Sequence, residues 1–196
     1  HYPLRRQRQM CIRDRGTVLP GFIDTHCHGG GGFFFSDHKQ ENVEHIANFH
    51  LENGTTTLLA SLVTQDEATL ESQVRRLGSF LPLSTIVGIH LEGPWLSAQF
   101  SGAHEVSCLR DPVESEIRKL HEVSNGKLMA VTIAPELIQA MEIIKLLDSL
   151  GVVVALGHTD ANAEQASSAI DLGAKVVTHF YSCMRPISHR VSALSL

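Results

Sequence analysis

Six short β-branched or apolar runs alternate with helix-like stretches, and this alternation constrains the fold more than any other feature of the chain. The runs are 17-TVLPGFIDTHCH-28, 55-TTTLLASLV-63, 85-TIVGIHLEG-93, 128-LMAVTIAPE-136, 152-VVVALGHT-159 and 175-KVVTHFYS-182. Their composition and length are those of strands. Between them, 40-QENVEHIANFHLENG-54 ends in Asn-Gly and 66-DEATLESQVRRLGSF-80 opens on an acidic turn. Residues 113-VESEIRKLHEV-123 follow Asp-Pro, and 137-LIQAMEIIKLLDSLG-151 and 160-DANAEQASSAIDLG-173 end in glycine. These are helix start and stop signals. Strand–helix alternation implies a parallel sheet covered by helices, closed as a doubly wound open sheet or as an eight-stranded barrel. No Gly-x-Gly-x-x-Gly follows the first run, which weighs against a dinucleotide fold. Polar residues instead mark the carboxyl end of run after run, the pattern of a (β/α)8 TIM-type barrel with its site at that rim. Six units are fewer than eight, and 196 residues are fewer than the about 250 of a complete barrel. The expected fold is therefore α/β, a TIM-type barrel truncated to about six strand-helix units.

The ends read differently from the middle. The opening HYPLRRQRQMCIRDR is basic but has no apolar h-region, so it is no secretory signal. Residues 1-15 are expected to be non-native or disordered, residues 16-190 the partial barrel, and 191-196 a non-native tail. Net charge is -5, and no long basic run lies within 16-190. That argues against nucleic-acid and membrane-surface partners. The four cysteines, at 11, 27, 108 and 183, form no Cys-x-x-Cys pair. Neither a disulfide framework nor a cysteine zinc site is suggested, and a reducing cytoplasm is the expected compartment. No apolar stretch approaches the roughly 20 residues of a membrane helix.

Histidine is the outlier, at 12 copies. The ends of the runs supply His26 and His28, then Glu92, then His158, then His179. Residues i and i+2 of a strand point the same way, about 6.6 Å apart. His26 and His28 are therefore expected to face the barrel mouth and share one metal, with Cys27 turned away into packing. Four imidazoles and a carboxylate at one rim point to a metal site. The glycines after His28 suit backbone that turns sharply where space is short. His90 is read as structural, one layer deeper. Asp24 is read as orienting a ligand from behind or as a core polar residue. His38, His45, His50 and His121 are read as surface residues.

The segments 20-PGFIDTHCHGGGG-32, 88-GIHLEGPWLS-97, 102-GAH-104, 132-TIAPE-136, 156-LGHTDA-161 and 178-THFYSCM-184 resemble the N-acetylglucosamine-6-phosphate deacetylase family of the amidohydrolase superfamily. The likeness runs over residues 16-190 with the motifs in family order. It implies Glu92, His158 and His179 as the primary metal ligands. His26 and His28 would hold a second ion, bridged by Glu92. One or two divalent ions are implied, zinc or iron. Ala103 and His104 match a sugar-binding segment, with His104 placed to polarise the acetyl carbonyl. Arg190 matches an arginine that meets the phosphate. Where the family has Asn-Ala, this chain has Ser182 and Cys183, which puts the identity of the sugar in question.

The family's catalytic aspartate is expected beyond this chain, so none of these residues is that aspartate and the chain alone is expected to be inactive. The implied partner is an amino-sugar phosphate, in a homodimer when full length. The implied reaction is hydrolysis of the acetamide by metal-activated water, giving acetate and glucosamine 6-phosphate. Alternatives are another amidohydrolase, whether an N-acetylgalactosamine-6-phosphate deacetylase, a cyclic amidase or a deaminase, or a metal-binding protein without activity. No Gly-x-Ser-x-Gly elbow and no P-loop occurs.

Overall fold

The computed structural model describes residues 17–37 and 39–186. His38 and Arg190 lie outside the described residues, as do the segments 1–16 and 187–196. The backbone forms β1 (Phe22–Cys27), a small hairpin of β2 (Gly29–Gly30) and β3 (Phe33–Phe34), then α1 (Gln40–Glu52), β4 (Thr55–Val63) and α2 (Glu67–Phe80). It continues through β5 (Ile86–Glu92), α3 (Glu114–Val123), β6 (Leu128–Ile133), α4 (Ala140–Ser149), β7 (Val153–Leu156), α5 (Ala163–Asp171) and β8 (Ala174–Val177). The six long strands pair in the order β1-β4-β5-β6-β7-β8, all parallel. The sheet curls into the partial TIM-type barrel that the alternation implied. Among the described residues no helix is long and apolar enough to cross a membrane.

The helices form where the capping chemistry permits. Asp66 accepts the Thr69 N–H at the start of α2. Asn162 and Gln165 form a reciprocal capping box at α5. Two helices begin about three residues later than their sequence signals suggest. Before α4, Gln139 takes a left-handed φ of 62°, and the Ile138 N–H is drawn to the Asp111 carboxylate at 3.2 Å. Before α5, the Asp160 N–H and the Thr159 hydroxyl are both taken by Glu136.

Neighbouring helices α2, α3, α4 and α5 pack side by side over one face of the sheet. Ile46, Leu58, Leu70, Leu77, Ile86, Ile89, Ile117 and Ile144 are fully or almost fully buried between the layers. Burying each such side chain contributes about 1.5–3 kcal/mol. The other face of the sheet is concave. It lines a groove of about 480 Å³ bordered by Leu59, Val87, Met129, Val153 and Val176. The carboxyl ends of all six strands meet at one rim, which is where the histidines are.

The four-glycine run does more than turn. Gly31 and Gly32 take φ of +61° and +92° at the tip of the β2–β3 hairpin. At Gly30 a Cβ would stand 2.7 Å from the His50 ring. The run is thus a tight hairpin laid against α1.

Candidate metal centre

Glu92 ends β5, a strand paired on both sides, and its side chain is only 6% exposed. Five imidazoles surround it. The Nε2 atoms of His26, His28 and His104 stand 3.2, 3.0 and 3.6 Å from Oε2. Those of His158 and His179 stand 3.2 and 3.1 Å from Oε1. Burial pushes the Glu92 carboxyl up. Hydrogen bonds from His104, His158, His26 and His28 outweigh it and hold the group well below the usual carboxylate range. Glu92 is therefore an anion with one oxygen turned to each of two groups of histidines.

The two groups are close-set. His26 Nε2 and His28 Nε2 are 3.0 Å apart, and so are His158 Nε2 and His179 Nε2. Ring orientation follows from what the opposite nitrogens touch. His28 Nδ1 faces the Ser61 carbonyl at 3.2 Å, His158 Nδ1 the Phe100 carbonyl at 2.8 Å, and His179 Nδ1 the Ser182 carbonyl at 3.1 Å. A carbonyl oxygen only accepts, so each Nδ1 donates, which leaves each Nε2 to share a proton with Glu92 or to present a lone pair to a cation. Lone pairs aimed at one another repel unless a cation or a proton lies between them. Ligand nitrogens at about 2.1 Å from one ion stand roughly 3.0–3.4 Å apart. The donor set therefore fits a divalent cation at each group, with Glu92 shared between them. The set of nitrogens and carboxylate oxygens suits zinc or iron.

His104 differs. Its Nδ1 accepts the Thr64 N–H, at 3.4 Å. The proton of the neutral ring is then on Nε2, which faces the cavity as a donor rather than a ligand. The cavity, about 520 Å³, is lined by all five histidines, Glu92, Ala103, Glu105 and Cys183. Ser182 contributes its carbonyl to His179 rather than its side chain to the cavity lining.

The backbone carries strain here. His158 and His179 lie two residues past the ends of β7 and β8, not within them, at φ of 47° and 31°. A non-glycine residue in that region costs about 1–3 kcal/mol. The strain is held by the Ser97 N–H on the His158 carbonyl at 2.9 Å and by the Nδ1 contacts. The loop after β5 is itself strapped. Arg110 binds Glu116 and the Gln65 and Cys108 carbonyls, and Trp95 donates to Glu116.

Of the remaining expectations, His90 is 3% exposed and hydrogen-bonded by both nitrogens, to Ser61 and Thr132. Burial holds its pKa down to about 3, with His26 adding to the effect. Asp24 accepts the backbone N–H of His26 and not its ring. Cys27 is turned away from the centre. His45 is exposed and His121 partly so. His50 is also partly exposed, but its ring is engaged: its Nε2 sits 3.0 Å from the Gly29 carbonyl and 3.2 Å from Cys27 Sγ. The α1 helix brings it against the hairpin, which polar sequence surroundings did not reveal. Asp24, Cys27 and His50 form a further set of close donors behind β1. Ser61, Thr64 and the Phe100 carbonyl carried no sequence signal, because their parts are set by where the backbone runs.

Comparison with known proteins identifies the family. Residues 17–193 match the model of the Amidohydrolase family. An N-acetylglucosamine-6-phosphate deacetylase of Lysinibacillus sphaericus is 36% identical over 177 residues, covering 88% of this chain and 46% of its own length. An N-acetylgalactosamine-6-phosphate deacetylase of Escherichia coli O157:H7 is 32% identical, covering 91% and 48%. A mutant of the N-acetyl-D-glucosamine-6-phosphate deacetylase of Mycobacterium smegmatis, solved with N-acetyl-D-glucosamine-6-phosphate, superposes at a TM-score of 0.87 with 44% identity. It covers 89% of this chain and 46% of the other. The chain spans about half the length of the curated relatives it matches. Fold, site and family model converge: the chain belongs to the amidohydrolase family.

Proposed function

We propose that this chain carries the cation-binding rim of a deacetylase that acts on N-acetylglucosamine 6-phosphate. The observation that carries the reading is the opposed set of ring contacts around Glu92. His28, His158 and His179 each set Nδ1 on a backbone carbonyl, which leaves Nε2 to bind a cation, while His104 sets Nδ1 on the Thr64 N–H, which leaves Nε2–H as a donor. Glu92, His158 and His179 would hold one divalent ion, and His26 and His28 with Glu92 a second. A bound cation supplies Lewis acidity and lowers the pKa of water from 15.7 to about 7.

The chain's own residues supply the rest. The acetyl carbonyl oxygen takes the His104 Nε2–H, which stabilises the negative charge that develops there. Water adds to the carbonyl carbon, the C–N bond breaks, and a proton is delivered to the leaving nitrogen. The products are acetate and an amino-sugar 6-phosphate. No aspartate lines this cavity among the described residues, and the Glu105 carboxylate is engaged by Ser107. Arg190 is assigned to the phosphate. A cytoplasmic homodimer is the proposed setting for the full-length enzyme.

Ser182 and Cys183 stand where the sugar-binding amide is expected. The galactosamine-type relative makes N-acetylgalactosamine 6-phosphate the second substrate to try. Calorimetry on the zinc-loaded chain tests the proposal. The N-acetylated sugar phosphates should bind, His104→Asn should weaken them, and no acetate should be released by the chain alone. Preferential binding of dihydrouracil or another cyclic amide would refute the deacetylase reading.

A further inference from the structure

The β1 strand is an edge strand, paired only with β4. Its ladder matches Asp24 to Leu58 and next Cys27 to Ala60, so three steps of β1 run against two of β4. An opposite shift lies between Phe22 and Ile23, so the register slips and recovers along β1. Thr25 and His26 fall in the slipped stretch and have no ladder partner. Regular pairing therefore does not fix the turn of chain that carries His26 and His28.

Ser61 of β4 takes over that task with two atoms. Its hydroxyl oxygen accepts the Cys27 N–H at 3.0 Å, and its carbonyl accepts the His28 Nδ1–H at 3.2 Å. The hydroxyl is itself held. His90 Nδ1 lies 2.9 Å away, His90 Nε2 lies 2.8 Å from Thr132 Oγ1, and Thr132 Oγ1 lies 2.8 Å from Thr178 Oγ1. A neutral imidazole has one N–H, so His90 donates from one nitrogen and accepts at the other, and its two hydroxyl partners are set accordingly. The result is a continuous belt of buried hydrogen bonds beneath the centre, from β1 to the residue after β8. His90 also packs edge-on under His26, with ring centroids 4.8 Å apart.

We propose that Ser61 is the positioning residue of the β1 arm, fixing the ring orientation of His28 with its carbonyl and the His26–His28 segment with its hydroxyl. It touches no reacting atom and acts only through those histidines. The proposal rests on the cation-binding reading for its consequence, but its geometry stands without a cation.

The test has two parts on the whole 196-residue chain. In the cation-free chain, ¹⁵N-correlated imidazole spectra should show His28 protonated on Nδ1. In a cobalt titration followed by visible absorption, Ser61→Ala should weaken one of two cations about 10–100-fold and leave the other unchanged. Ser61→Thr, which keeps the hydroxyl, should restore it, with folding of each variant followed by circular dichroism. A His28 protonated on Nε2 alone would overturn the proposal. So would a Ser61→Ala chain that binds both ions as the parent does, or a folded Ser61→Thr chain that behaves like the alanine variant. If the parent binds no cobalt, the cation reading fails, while the imidazole spectra still decide whether Ser61 sets His28.

Discussion

The two arms around Glu92 reach the same chemistry by different means. The β1 arm places His26 and His28 two residues apart at the end of one edge strand, steadied from below by Ser61. The β7–β8 arm brings His158 and His179 together from two separate turns, each in a left-handed conformation held by backbone carbonyls and the Ser97 N–H. In the first arm, proximity comes from covalent spacing and strand geometry. In the second, it comes from tertiary packing and stored backbone strain. An arm built on spacing survives local loosening better. An arm built on strain depends on the strapped loop after β5.

The largest expected effect comes from the residue both arms share. Glu92→Gln keeps the shape and removes the anion that faces both groups. Each cation should bind more than about 100-fold more weakly, a larger loss than the 10–100-fold of an outer partner, measured by calorimetric titration. Next come substitutions that break one arm alone. His26→Ala should leave one equivalent of bound cation, held by His158, His179 and Glu92. His158→Ala should do the converse and also free the Phe100 carbonyl. Elemental analysis after dialysis reads both stoichiometries, and loss of both ions from either single change would erase the distinction between the arms.

A third experiment sharpens the contrast through pH. Burial holds His90 at a pKa of about 3, below its unfolded value of 6.5. The unfolded chain therefore takes up the proton first as pH falls. His90's contribution is fully present above pH 6.5 and is lost between 6.5 and 3. The loss amounts to at most roughly 5 kcal/mol. In the cation-free chain, His90→Gln should flatten the dependence of urea stability on pH across that window. An unchanged slope would remove His90 from the belt. The smallest effect serves as a control. Asn162→Ala deletes the cap of α5 and should cost about 1 kcal/mol in thermal unfolding without altering cation binding.

The comparison also marks what a sequence discloses. Strand runs and helix signals gave the layered parallel sheet because burial on one period is written in side-chain types. His26-x-His28 was legible because the spacing alone makes two rings face one way. Glu92, His158 and His179 were legible as polar residues closing apolar runs. The turns that carry the last two past their strands were not, since a left-handed histidine has no composition signal. The roles of the Thr64 N–H and the Ser61, Phe100 and Ser182 carbonyls were hidden for a like reason: backbone groups carry no side-chain signal. The contacts of His50 were not legible, because its own helix looks polar and its partner, the Gly29 carbonyl, comes from a hairpin that the glycines conceal.

The most direct measurement is anomalous diffraction from crystals of the zinc-loaded chain, recorded on both sides of the zinc absorption edge. The account predicts two peaks flanking the Glu92 carboxylate, one against His26 and His28 and one against His158 and His179. A map with zinc only among Asp24, Cys27 and His50, or with none beside Glu92, would contradict it.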